Sequence, residues 1–334
     1  MKGYQFEDTQ GTFHLKKAEN ISYLYFPIAG EAGLKSSLTP NLGGDAKIDQ
    51  NTFLLEPVSA ENLVNNRNSR NFWCNVKGIG SWSLTGNAAE ALSKKFTEMQ
   101  DDSEVTAGFM WQKTTRESKK YQLRGEILSF IPVEKNVEVM LVTITNTGRM
   151  AQTVTPTAAI PLYGRSADNI RDHRHVTSLL HRIETTDIGV LVTPTLSFDE
   201  RGHQVNHMTY YCVGWSGNGE KPVDFYPTAE DFVGEGGNFE RPYAIVKNAE
   251  GVKAGTRIEG LEAVGGLHFS EVTLEPEEEC SYLIFTGITE DIQEIRNLSK
   301  TYTTREMVLE ELEKTKAYWQ EKVNVAYHTG DSDF

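Results

Sequence analysis

The densest set of chemically capable side chains lies in YGRSADNIRDHRHVTSLLHR, residues 163–182. It holds Arg165, Asp168, Asn169, Arg171, Asp172, His173, Arg174, His175, His181 and Arg182. Three readings compete for it. His173 and His175 have the i, i+2 spacing that faces one way on a strand, which suits a metal, but Arg171 and Arg174 would repel the cation. A solvated charged loop needs no function at all. A recognition loop would use these groups directly, because guanidinium forks, carboxylates and imidazoles are the donors and acceptors that bind sugar hydroxyls or phosphate. The segment follows the strand-like TPTAAIP and so starts as a loop leaving a sheet.

A second polar segment, ENLVNNRNSRNFW (61–73), ends at Phe72 and Trp73. Asparagine tolerates left-handed backbone and satisfies turns, so a structural loop is the default. Aromatic rings beside amide donors also suit a sugar, which presents both C–H faces and hydroxyls. The glycine-rich runs NLGGDAKIDQN (41–51) and FVGEGGNFERP (232–242) lack the strand-to-helix setting and the Lys-Ser/Thr ending of a phosphate loop, and they read as tight turns. No G-x-S-x-G, H-E-x-x-H or kinase-type set occurs. A carboxylate pair for glycoside chemistry cannot be picked out of 47 acidic residues.

The elements that must position these residues are mostly strands. Val105, Ala107, Phe109 and Trp111 alternate with polar neighbours, as in a half-buried strand. KYQLRGEILSFI (120–131) continues in that mode. NVEVMLVTITN (136–146) is apolar on both parities, which suits a strand buried on both faces. SYLYFP (22–27), NTFLLEP (51–57), NFWCNV (71–76), GVLVTP (189–194), HMTYYCVGW (207–215) and CSYLIFTGI (280–288) add further strand-like runs. Many short strands punctuated by Gly, Asn and Pro argue a mainly β chain built as a large antiparallel sandwich, without a βαβ rhythm. NAAEALSKKF (87–96) predicts one short surface helix. After residue 288 the period becomes helical. Thr289 is expected to cap EDIQEIRNLSK, and Thr303 is expected to open a capping box with Glu306. A helix over about 304–324 should carry Val308, Leu312, Trp319 and Val323 on one stripe, packed on the sandwich or on a partner.

Composition narrows the partners. The 334 residues carry 33 Lys+Arg against 47 Asp+Glu, a net charge of −14. Such a chain repels phosphate backbones, and no basic, aromatic-interleaved stripe offsets this, so nucleic acid is not an expected partner. No run approaches the ~20 apolar residues of a membrane span, and MKGYQFEDTQ lacks the apolar region of a signal peptide. Cys74, Cys212 and Cys280 are few, widely spaced and set in apolar contexts. They read as buried, reduced thiols in a cytoplasmic protein.

Three stretches carry a resemblance to a known family: FPIAGEAGLKSSLTPNLGGDAKIDQNTFLLEPVSAENL (26–63), NSRNFW (68–73) and AIPLYGRSADNIRDHRHVTSLLHRI (159–183), with VGEGG-x-FERP as a supporting turn. They resemble the N-terminal region of glycoside hydrolase family 94, the inverting glycoside phosphorylases, with the opening segments most similar to the 1,2-β-oligoglucan type. The resemblance implies a galactose-mutarotase-like β-supersandwich over residues 1–288. It implies linker helices over 289–334 that lead towards an (α/α)6 barrel. In the family the general acid and the phosphate-binding residues lie in that barrel and have no matching position here, so the chain alone is expected to be inactive, with no catalytic residue and no metal. The implied partners are a β-linked gluco-oligosaccharide, a catalytic barrel domain or subunit, and a second copy in a homodimer. No cofactor is implied; inorganic phosphate is the co-substrate of the full enzyme. The implied working surface is Arg165, Asn169, Arg171, His173, Arg174 and His175, a loop over a partner active site that holds the acceptor-side sugar or shapes its entrance. A stand-alone carbohydrate-binding or assembly module is the alternative.

Overall fold

Ten consecutive buried residues, Val137–Asn146, form the central strand of the molecule in a computed structural model of the chain. The model describes residues 4–21, 24–59, 69–170, 174–199, 202–323 and 328–331. The two parities of this strand serve different cores, because successive side chains point to opposite faces. Met140, Val142 and Ile144 face inward with Phe72, Cys74, Val154 and Ile160. Val137, Val139 and Leu141 face outward with Trp215, Phe285 and residues of the C-terminal helices. The neighbouring strand Leu123–Phe130 divides in the same way.

The strand lies within an antiparallel sheet of eleven strands among the described residues. Its middle runs through Asp102–Gly108, Trp111–Ser118, Leu123–Phe130, Val137–Asn146, Glu279–Thr289 and Thr209–Ser216. A six-stranded antiparallel sheet, with Gln152–Leu162 paired to Asn71–Val76 and Ala263–His268, packs against its inner face. A four-stranded meander, from Phe26–Ala29 to Thr52–Leu55, and a small hairpin, Leu196–Asp199 with Gly202–Val205, complete the β structure. The mainly β, antiparallel sandwich expected from the sequence is therefore present.

The run from Val105 to Trp111 is a hairpin rather than one strand. Met110 takes a left-handed φ of 61° and the chain turns there, so Val105 and Ala107 are buried while Phe109 is exposed. The returning strand, Trp111–Ser118, has an inward face that is wholly polar: Gln112, Thr114, Arg116 and Ser118. Arg116 pairs there with buried Glu19, and burial pulls its pKa down to about 10. The short surface helix is present as Ala89–Ser93.

The C-terminal helices, Ile292–Thr301 and Arg305–Lys322, close the outer face of the large sheet. Ile295, Leu298, Tyr302, Val308 and Leu312 join its apolar cluster, and the Trp215 indole donates to the Tyr302 carbonyl at 2.9 Å. The sandwich itself is thus the surface they pack on. Val323, the last residue of the expected stripe, is exposed beyond the helix end. Both expected caps move. Asp291, not Thr289, accepts from the Gln293 amide at 2.8 Å; Thr289 stands outside it and accepts from the Asp291 amide at 2.9 Å. Thr304, not Thr303, holds the N-cap position of the last helix. One residue of extended backbone before each helix decides these positions.

Candidate functional site

Strand Gln152–Leu162 delivers the chain into the polar loop. Gly164 turns it with a left-handed φ of 60°, pressed close to Tyr210 and His181. The loop base is then stitched to the strand-like segment 50–55. The Tyr163 amide donates to the Leu54 carbonyl at 2.8 Å, the Phe53 amide to the Arg165 carbonyl at 3.0 Å, and the Ala167 amide to the Gln50 carbonyl at 3.0 Å. Two segments that are over a hundred residues apart in sequence are therefore direct neighbours.

Arg165 is 2% exposed. Its Nη1 and Nη2 donate to both carboxylate oxygens of Glu262 at 3.2 and 2.6 Å, its Nε to the Tyr163 carbonyl at 2.9 Å, and Nη1 also to the Thr177 hydroxyl at 2.9 Å. The guanidinium lies 4.4 Å from the Tyr163 ring centroid. Asn169, also buried, accepts from the Ser166 hydroxyl at 3.2 Å. The structure thus brings Arg165 and Asn169 together at the base of the loop. Arg174 and His175 begin the helix Arg174–Ser178. Arg171 and His173 lie outside the described residues.

His181 closes the loop and is fully buried. Its Nδ1 lies 3.1 Å from the Leu261 carbonyl. Burial, reinforced by the nearby Arg165 charge, pulls its pKa down to about 4, so the ring is neutral at pH 7. Glu262 is the residue that sequence reasoning missed. It lies 97 positions beyond Arg165, in GLEAVGG, where nothing local marks it; only the pairing of Ala263–His268 with Gln152–Leu162 brings it there.

The other motif segments meet at a second buried ion pair. Arg70 holds Glu138 with both Nε and Nη2, while its Nη1 donates to the Gly44 carbonyl at 2.8 Å and its amide to the Leu42 carbonyl at 3.0 Å. Gly44 has a φ of +115°, and a Cβ there would sit 1.9 Å from the Ser37 carbonyl oxygen. NLGGD is therefore a tight turn, clamped by the arginine of NSRNFW. Phe72 and Trp73 are buried on opposite sides of their strand, so they offer no ring to a sugar. Cys74 and Cys212 are buried as expected, whereas Cys280 is partly exposed. Among the described residues no group of three His, Cys, Asp or Glu side chains could hold a metal ion, and no helix is long and apolar enough to cross a membrane.

The family model of the glycosyl hydrolase 94 supersandwich domain matches residues 57–305, which span the loop, the Arg70–Glu138 and Arg165–Glu262 ion pairs and the first C-terminal helix. The chain belongs to this family. No curated protein matches the sequence. Similar solved structures include a protein described as a kojibiose phosphorylase from the human microbiome, at 9% identity over 96% of this chain and 39% of that one, with a TM-score of 0.44. A bacterial glucoamylase complexed with acarbose is similar at 10% identity over 96% of this chain and 38% of that one, TM-score 0.41. Galactose 1-epimerase from Lactobacillus acidophilus NCFM is similar at 9% identity over 84% of this chain and 99% of that one, TM-score 0.41. The chain thus spans about two fifths of the length of the first two.

Proposed function

We propose that this glycosyl hydrolase 94 supersandwich serves as the N-terminal carbohydrate-handling and dimerisation part of an inverting β-glucoside or oligoglucan phosphorylase. The observation that carries this reading is the family match over 57–305, which includes the entire 163–182 loop. Residues 1–288 would be the sandwich unit and 289–334 the linker to an (α/α)6 barrel, in the cytoplasm. The barrel would supply the general acid and bind phosphate, which attacks the anomeric carbon while the acid protonates the leaving oxygen. The sandwich contributes no proton transfer. Its loop would lie over the neighbouring subunit's sugar site and position the leaving, acceptor-side sugar. Within that loop Arg165 and Asn169 act as positioning residues at the base, and Arg171, His173, Arg174 and His175 form the working surface. In the assembled phosphorylase, Arg171→Ala or Arg174→Ala should raise the acceptor KM in the synthetic direction by about tenfold with a smaller change in kcat. Unchanged acceptor KM in both variants would refute the role given to the loop.

A second reading, a stand-alone carbohydrate-binding or assembly module, is favoured by one observation. The outer sheet face is covered by the chain's own helices, so the folded unit needs no barrel to cover that core. Sugar binding by the chain alone supports this reading; binding that appears only with a barrel polypeptide supports the first.

A further inference from the structure

The helix Arg174–Ser178 has only five residues. So short a helix closes too few hydrogen bonds to hold itself, and tertiary contacts must set its place. Thr177 and Ser178 are buried, at 6% and 5% exposure, while Val176 and Leu179 beside them are 47% and 59% exposed. The side turned to the protein is therefore polar and the side turned to solvent apolar, the reverse of an ordinary surface helix. Directed hydrogen bonds, not apolar burial, must fix such a helix.

One of these bonds reaches the helix through a side chain that leads back to the core. Nη1 of Arg165 donates to the Thr177 hydroxyl at 2.9 Å and to Glu262 at 3.2 Å. Glu262 is itself fixed to the smaller sheet. Its carbonyl accepts from the Ala229 amide at 2.9 Å, and the next residue, Ala263, pairs with Leu162. A continuous path thus runs from the sheet through Glu262 and Arg165 to Thr177 and the helix. The chain beyond the helix is held differently, by backbone acceptors. Arg182 donates to the Leu179 and His181 carbonyls at 3.1 and 2.9 Å, and the Thr195 amide donates to the Leu180 carbonyl at 3.0 Å. Substituting Thr177 leaves those bonds in place, so it tests the side-chain path alone.

Resting on the reading of 163–182 as the acceptor-side surface, we propose that Thr177 is a positioning residue for the acceptor sugar. It touches no sugar. Its hydroxyl, held by Arg165 and through it by Glu262, sets the orientation of the helix that presents Arg174 and His175, and so the affinity for the acceptor. Steady-state kinetics of the assembled phosphorylase in the synthetic direction test this, with cellobiose or sophorose as acceptor and glucose 1-phosphate as donor. Thr177→Val keeps the shape of the side chain and removes the acceptor of one hydrogen bond, while Arg165 retains Glu262 and the Tyr163 carbonyl. It should raise the acceptor KM about fivefold or more, with kcat and the glucose 1-phosphate KM within about twofold of wild type. Thr177→Ser, which restores the hydroxyl, should return the acceptor KM to within about twofold of wild type. Glu262→Gln should raise the acceptor KM in the same sense, and the double variant should exceed the larger single effect by less than about twofold, because both act through one arginine. Glu262→Gln with its kcat and donor KM decides the matter if Thr177→Val does not fold. An unchanged acceptor KM in Thr177→Val beside a raised one in Arg174→Ala would overturn the proposal and leave the loop's role standing. Unchanged values in both would remove the loop's role with it. Failure of Thr177→Ser to restore the acceptor KM, or an equal rise in the glucose 1-phosphate KM, would also overturn the proposal.

Discussion

Arg165 directs its donors to Tyr163, Thr177 and Glu262 inside the protein, so its contribution to recognition is to hold the loop's shape. Removing Glu262 would leave a buried guanidinium without its bidentate partner. Glu262→Ala should destabilise the chain by about 3 kcal/mol, read from the urea-unfolding midpoint at unchanged slope. His181 makes a pH prediction. Its pKa is about 4 folded against 6.5 ordinarily, so below about 6.5 the unfolded chain binds the additional proton. The stability contributed by the neutral ring is complete above pH 6.5 and is lost as pH falls towards 4. Between pH 7 and pH 5, wild type should therefore lose more stability than His181→Gln in paired urea titrations. Equal losses would show that this ring does not titrate on unfolding. These residues explain why a site was only half legible in the sequence. The polar string is conspicuous, but a string of side-chain types does not say which arginine turns inward. Arg165 is one of four arginines in the string, and only the sheet pairing that brings in Glu262 marks it out.

At the scale of elements, the sequence was more informative. NFWCNV has the pattern of a strand and forms the strand Asn71–Val76; the double-sided apolar run at 136–146 is the central strand, serving two cores. Local pattern sufficed there because burial and period-2 alternation leave few alternatives. The pattern failed where tertiary contacts override it. The inner face of Trp111–Ser118 is polar, yet it is buried beneath the loops that carry Thr39 and Pro40. The hairpin loop is the pair Phe109–Met110, two large apolar residues that carry no turn signature, and Gly108 beside them lies on the strand end rather than in the loop. Two substitutions test the packing. Leu312→Ala should cost about 2–5 kcal/mol, since the side chain is 3% exposed in the outer cluster. Its midpoint shift should appear by far-UV dichroism and Trp fluorescence together if helix and sheet unfold as one unit. Gly44→Ala combines a positive φ with a close approach to the Ser37 carbonyl. It should lower the melting temperature well beyond an Ala substitution at Gly78, which has a positive φ but nothing within 4 Å.

For the molecule as a whole, the Arg70–Glu138 and Arg165–Glu262 ion pairs tie together segments far apart in the chain, joining the NLGGD turn to the core strand and the 163–182 loop to the smaller sheet. The family motifs visible in the sequence coincide with these joints, so much of their specificity is architectural. This is consistent with a sandwich that presents a loop to chemistry performed elsewhere. Under the proposed function the 334-residue chain by itself catalyses no phosphorolysis. This is tested most directly by incubating the purified chain with orthophosphate and a panel of β-linked gluco-oligosaccharides and measuring glucose 1-phosphate. The expected result is no release above a protein-free control. Sustained, phosphate-dependent release proportional to the amount of chain would contradict the account.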